Sequence, residues 1–125
     1  MFKPMPVTFI DPKTEKFLTG KRTHTVDLYN HFVNEFAKLG DISLHATKTM
    51  IGISTGHKRI AWITQIGKSF IHVVLSFHQA YNDNLCFSKI GLVPGSNQHN
   101  HHLRILQKED VNEEVRGYLR LALEG

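Results

Sequence analysis

The chain has 125 residues, 41% of them hydrophobic, with 15 Lys and Arg against 11 Asp and Glu, a net charge of +4, and nine histidines. This is the composition of one globular domain of common size, too hydrophobic for disorder and only mildly basic. A single cysteine, Cys86, excludes an internal disulfide framework and a multi-cysteine zinc site, and no apolar run approaches the ~20 residues of a membrane span.

Residues 1–13 are punctuated by Pro4, Pro6 and Pro12 and read as an extended N-terminal arm, which Val7, Phe9 and Ile10 can pin to the body. The arm lacks a long apolar stretch followed by small residues, so it does not read as a secretory signal, and a cytoplasmic location is expected. Residues 14–125 are then a single domain. Thr14 to Gly20 reads as one or two helical turns, with Thr14 or Asp11 capping the start and Gly20 ending it. The first full helix is expected over residues 26–39, because Tyr29, Phe32, Val33 and Phe36 fall on one face at i, i+3, i+4 and i+7. Thr23 or Thr25 can cap it, Asp27 suits its dipole, and Gly40 follows as the C′ residue.

After Gly40 the period becomes two. Ile42, Leu44 and Ala46 alternate with Ser43, His45 and Thr47. Residues 50–54, 59–66 and 69–78 read as further strands joined by short glycine-containing turns, too close together for crossover helices. That spacing predicts an antiparallel meander. The longest strand has two unlike faces: Ile71, Val73, Leu75 and Phe77 on one, and Phe70, His72, Val74, Ser76 and His78 on the other. The first is expected to meet the helices. Alternation leaves the face of Trp62 open, and a core position is the expectation. Leu85 to Ser88 can form a short strand, residues 90–95 read as irregular, and residues 101–106 as the last strand. In that strand His101 points with Leu103 and Ile105, and His102 with Arg104. Asp110 is expected to open the final helix, with Glu113 completing a capping-box-like pair. Its apolar face is Val111, Val115, Tyr118, Leu119 and Ala122. The predicted fold is an α+β two-layer sandwich: a mostly antiparallel sheet of five or six strands, with N- and C-terminal helices on one face.

The run Ser96 to Ile105 places three histidines in four positions, His99, His101 and His102. These can ligate zinc or another borderline metal, given a further ligand such as His72, His78 or His45. No HExxH helix or finger-like spacing is present. His72 and His78, on the mixed face near His102 and Arg104, also suit proton transfer to an anionic substrate. No carboxylate lies on any predicted strand to orient them. Cys86 lies in an apolar stretch and reads as an inert thiol. Lys and Arg are spread along the chain, which predicts a mixed-charge surface. Basic residues nevertheless flank strands that carry Trp62, Phe70 and His72, the composition of a sheet that holds single-stranded nucleic acid.

The motifs Phe17-Leu18-Thr19-Gly20-Lys21, Leu28-Tyr29, Leu39-Gly40, Thr47-Lys48, Ala61-Trp62-Ile63, His101-His102-Leu103 and Asp110-Val111 occur in this order. With them, the chain from about Thr14 to Ala122 resembles the uncharacterised family called domain of unknown function 5655. Members of that family usually have Trp where Tyr118 stands. The resemblance implies a small α+β domain, no established activity, and Lys48 with His101 and His102 as parts of one site.

The leading expectation is a binding module without a cofactor, in which Lys48, His72, His101, His102 and Arg104 meet an anionic small molecule or nucleic acid. One alternative is a small histidine-dependent enzyme or metal-dependent hydrolase, with zinc on His99, His101 and His102. Another is a structural module that forms a homodimer through the sheet face or its edge. No membrane partner is expected.

Overall fold

Period-two alternation after Gly40 becomes a sheet in which each strand turns one row of side chains to a helical layer and the other row outward. The computed structural model describes residues 7–124. Among them, seven strands form one sheet: β1 (Val7–Ile10), β2 (Ile42–Ala46), β3 (Ile51–Thr55), β4 (Lys58–Ile66), β5 (Ile71–Phe77), β6 (Phe87–Leu92) and β7 (His99–Ile105). Their order is β1-β2-β3-β4-β5-β7-β6. From β2 to β6 every neighbouring pair is antiparallel, and β1 joins β2 in parallel. Helix α1 (Thr14–Leu18) contacts β2, while α2 (Thr23–Ala37) and α3 (Glu113–Glu124) pack on β4 and β5. The molecule is the expected α+β sandwich, with six antiparallel strands and one parallel strand. Residues 1–6 of the expected arm lie outside the described residues, as do the side chains of Val7 and Phe9.

The helices form where the apolar face predicts, but their ends are made differently. In α2, Leu28, Tyr29, Phe32, Val33 and Phe36 are buried. Thr25 does not cap it. The residue is fully buried, and its Oγ1 donates to the Lys68 carbonyl at 3.1 Å, tying α2 to the β4–β5 turn. Gly40 has no left-handed conformation. A Cβ there would come within 3.1 Å of Leu123 Cδ1, so this glycine admits the end of α3. Asp110 belongs to a separate 3-10 turn, where its Oδ2 accepts from the Leu106 and Gln107 N–H groups. Asn112 is the cap of α3, its Oδ1 accepting from Val115 N–H at 3.0 Å.

Ile71, Val73, Leu75 and Phe77 of β5 face the helices, as do Leu103 and Ile105 of β7. A bulge pairs Ile53 with Ala61 but Ser54 with Arg59, leaving Ile60 as the extra residue. Ile60 and Ala61 both enter the core, and Arg59 is thereby aimed at the outer face. Trp62 corrects the core expectation. It pairs with Gly52 and Val74, out of phase with the core residues Ala61 and Ile63, and is half-buried on the outer face.

The expected meander ends at β5. Strand β6 runs through the stretch read as irregular and pairs with the far side of β7. The connection from β5, residues 78–86, therefore passes over β7 on the helical side. It lands on His101, which is fully buried. His101 Nε2 accepts from Tyr81 N–H at 3.1 Å, and Nδ1 donates to the His99 carbonyl at 2.9 Å. Both ring nitrogens are used, one as acceptor and one as donor, so the imidazole is neutral. The rings of Phe77 and Phe87 stand edge-on to it, with centroids at 4.9 and 5.0 Å. His101→Phe keeps a ring of similar shape but orphans both backbone groups. Urea denaturation should show a loss of about 1–3 kcal/mol, with faster amide exchange at Tyr81. An unchanged midpoint would show that His101 does not hold this connection.

Candidate anion-binding face

None of the seven strands contains an aspartate or glutamate. They do carry Lys58, Arg59, Lys89 and Arg104, with His45, His72, His99, His101 and His102. In the helical layer one carboxylate gathers two cations. Glu35 accepts from Lys38 Nζ at 2.7 Å and from Arg116 Nη2 at 3.0 Å, and both partners hold its carboxyl below the usual value. The outer face of the sheet, opposite those helices, is where Arg59, Lys89 and Arg104, none of them in an ion pair among the described residues, meet aromatic rings.

Strand register assembles that face. His72 stands opposite Arg104, and Val74 opposite His102. His72 Nε2 and His102 Nδ1 share a hydrogen bond of 2.9 Å, their rings edge to face with centroids 5.1 Å apart. One ring donates and the other accepts, so the two cannot both be fully protonated while the bond stands. The Arg104 guanidinium lies over the Phe70 ring, 5.0 Å from its centroid. Lys89 of β6 pairs with His102 across the strands, and Ser88 Oγ donates to the His102 carbonyl at 3.2 Å. At the other side, Arg59 donates from Nε to Ser54 Oγ at 3.0 Å and lies flat over Gly52. A Cβ at Gly52 would overlap that guanidinium, so the close approach of Arg59 explains a glycine in the middle of a strand.

Burial is the main cause that lowers the His72 pKa below the usual imidazole value, followed by the charges of His102 and Arg104. Burial and then Lys89 lower His102. Burial likewise lowers His101. Burial, with the Glu114 carboxylate beside it, pushes the Cys86 thiol up to about 12, which leaves no thiolate for nucleophilic chemistry at neutral pH.

Of the five expected ligand-binding residues, the fold brings His72, His102 and Arg104 together. His101 is on the helical side with both nitrogens engaged. Lys48 is in the β2–β3 turn, where it lines a different hollow with Lys13, Lys16 and Lys21. The three histidines considered for zinc are divided between faces: His99 and His101 share one and His102 takes the other. His99 Nδ1 is buried without a hydrogen-bond partner. Among the described residues no three His, Cys, Asp or Glu side chains converge as a metal site. Phe70 shares the face of His72, as alternation predicts, and Arg59 is among the basic residues expected to flank it; sequence reasoning missed Lys89, because the true extent of β6 has no local signature. The Ile60 bulge, which has none either, sets the position of Arg59. No helix among the described residues is long and apolar enough to cross a membrane.

The lowered histidine values give stability a definite pH dependence. A group whose folded pKa is depressed adds a proton more readily when unfolded, so stability is greatest above the unfolded value of about 6.5 and falls as pH drops below it. The melting temperature should decline steadily from pH 7.5 to pH 5, and less steeply in His102→Gln. The lowered Glu35 and Asp11 carboxyls act only at more acidic pH. A flat profile across that window would show that these imidazoles are not desolvated.

No family model matches this chain, nor does any curated protein or solved structure.

Proposed function

We propose that this chain is a binding module for an anionic ligand, and that single-stranded nucleic acid lying across the open sheet face is the form the geometry favours. The observation that carries this reading is a sheet whose described strands hold no carboxylate and whose face opposite the described helices holds rings and cations together. Trp62, Phe70, His72 and His102 supply flat surfaces, and Arg59, Lys89 and Arg104 supply charge. Bases stack on exposed rings with little regard to sequence, and phosphates follow the cations. From β3 to β6 the face spans about 19 Å at the usual strand spacing. That is room for a short single strand, and no helix protrudes from it to enter a duplex groove.

The histidine pair fits the same ligand. A phosphate beside His72 and His102 favours the protonated form that burial and the neighbouring cations oppose. Binding is therefore expected to strengthen as pH falls from 7.5 to 6.

Fluorescence anisotropy with a labelled ten-nucleotide oligothymidylate in 50 mM salt tests the reading. Binding should weaken with added salt, quench the fluorescence of Trp62, and lose about 0.7 from its logarithmic salt slope in Arg104→Ala. Trp62→Ala should cost about 1–3 kcal/mol if a base stacks there. No binding at 50 mM salt would end the nucleic-acid reading.

A further inference from the structure

We infer a second anion site, separate from the sheet face, in the hollow between α1 and the β2–β3 turn, with a chain of linked phosphates as its ligand. The hollow has a volume of about 570 Å³, within the range of small-molecule sites. Lys13, Lys16, Lys21 and Lys48 line it, and the ring of Phe17 forms part of its wall. None of these four lysines belongs to an ion pair among the described residues. Four like charges around one open volume repel one another unless an anion lies between them.

Backbone constraints bring the lysines there from three segments. Asp11 joins the first to the sheet: its Oδ1 accepts from Lys13 N–H at 2.9 Å and its Oδ2 from Ala46 N–H at 3.2 Å. Its own N–H donates to the Leu44 carbonyl at 2.9 Å. Both oxygens of this carboxylate accept from backbone N–H groups. Gly20, at φ +78°, turns the chain back after α1, so that Lys21 N–H reaches the Leu18 carbonyl at 3.1 Å. Thr47 shapes the β2–β3 turn. Its Oγ1 accepts from Thr49 and Met50 N–H and donates to the Met50 carbonyl, which leaves Lys48 at the tip.

The donor chemistry defines the ligand class. The Thr47 and Thr19 hydroxyl protons are both committed to backbone carbonyls, so neither hydroxyl can donate to a ligand. What remains is four ammonium groups on flexible stems, each a point charge without fixed direction. Such a set discriminates by the number of charges presented rather than by shape. A lone phosphate engages only part of it, whereas three linked phosphates engage all of it. Phe17 adds a surface against which a nucleobase can lie. The hollow lies beyond the β3 edge of the sheet face and apart from its His102–Arg104 part: its tip is at the β2–β3 turn, and β3 is three strand positions, about 14 Å, from β7.

Isothermal titration calorimetry of the full chain, in 50 mM salt at pH 7.4, tests this site with inorganic tripolyphosphate, ATP, AMP and inorganic phosphate as separate ligands. Tripolyphosphate and ATP should bind once per chain, at least tenfold more tightly than AMP or phosphate. Equal affinity for tripolyphosphate and ATP assigns the phosphate chain alone as the ligand. Tighter ATP adds the nucleobase contact at Phe17. Lys16→Gln with Lys48→Gln, both exposed positions, should weaken tripolyphosphate at least tenfold and change oligothymidylate binding less than twofold. Arg104→Ala should do the reverse. The inference fails if phosphate binds as tightly as tripolyphosphate, or if the double variant has no effect. It also fails if Arg104→Ala weakens tripolyphosphate as much as the double variant does, since one continuous basic surface would then account for both ligands. Loss of oligonucleotide binding alone would leave the hollow intact.

Discussion

The row of Ile71, Val73, Leu75 and Phe77 against α2 and α3 is the contact from which the rest of the molecule is arranged. Each such side chain contributes roughly 1.5–3 kcal/mol when taken fully out of water. Because strand side chains alternate, committing this row to the helical layer commits His72, Val74 and Ser76 to the other side. Register then carries the decision outward from β5. His101, Leu103 and Ile105 of β7 join the core, and His102 and Arg104 join the open face. A slip of one residue would bury Arg104 and expose Leu103, so the apolar row fixes the chemistry of both surfaces.

Among the described residues the helices cover one side of the sheet, and the strands present the other side without an acidic residue. The carboxylates are left to helices and loops, where Glu35 is neutralised by Lys38 and Arg116. Charge that is spread evenly along the chain is therefore sorted in space. The lysines at positions 13, 16, 21 and 48 look unremarkable in sequence because their meeting depends on Asp11 closing the corner between α1 and β2.

What could be read from the sequence divides along the same line. The α2 face and the β5 alternation are strong periodic signals, and both fold as their periods predict. The His101 and His102 division follows from alternation alone. The crossover to β6 has no such signal: Phe87–Leu92 mixes Lys89 and Gly91 into a half-exposed edge strand, so neither period is clean. Trp62 was misplaced because a large ring suggests a core, whereas its register with Gly52 and Val74 puts it outside. Gly52 has no local cause within its strand; its cause is the side chain of Arg59, seven residues away in sequence and on the next strand. In each case the deciding contact is tertiary, and local propensity is silent about it.

The placement of β7 between β5 and β6 has a consequence for how the chain folds during synthesis. The β2–β5 meander and α2 can associate as soon as they leave the ribosome, since their contacts are between neighbours in sequence. Strand β6 cannot. It has no partner until His99–Ile105 has emerged and paired with β5. For that interval residues 78–98 hang as an unpaired segment, and Leu85 and Leu92 stay exposed even in the finished fold. The hydrogen bond from Tyr81 to His101 can close only once β7 is in place, so it is formed among the last contacts of the nascent domain.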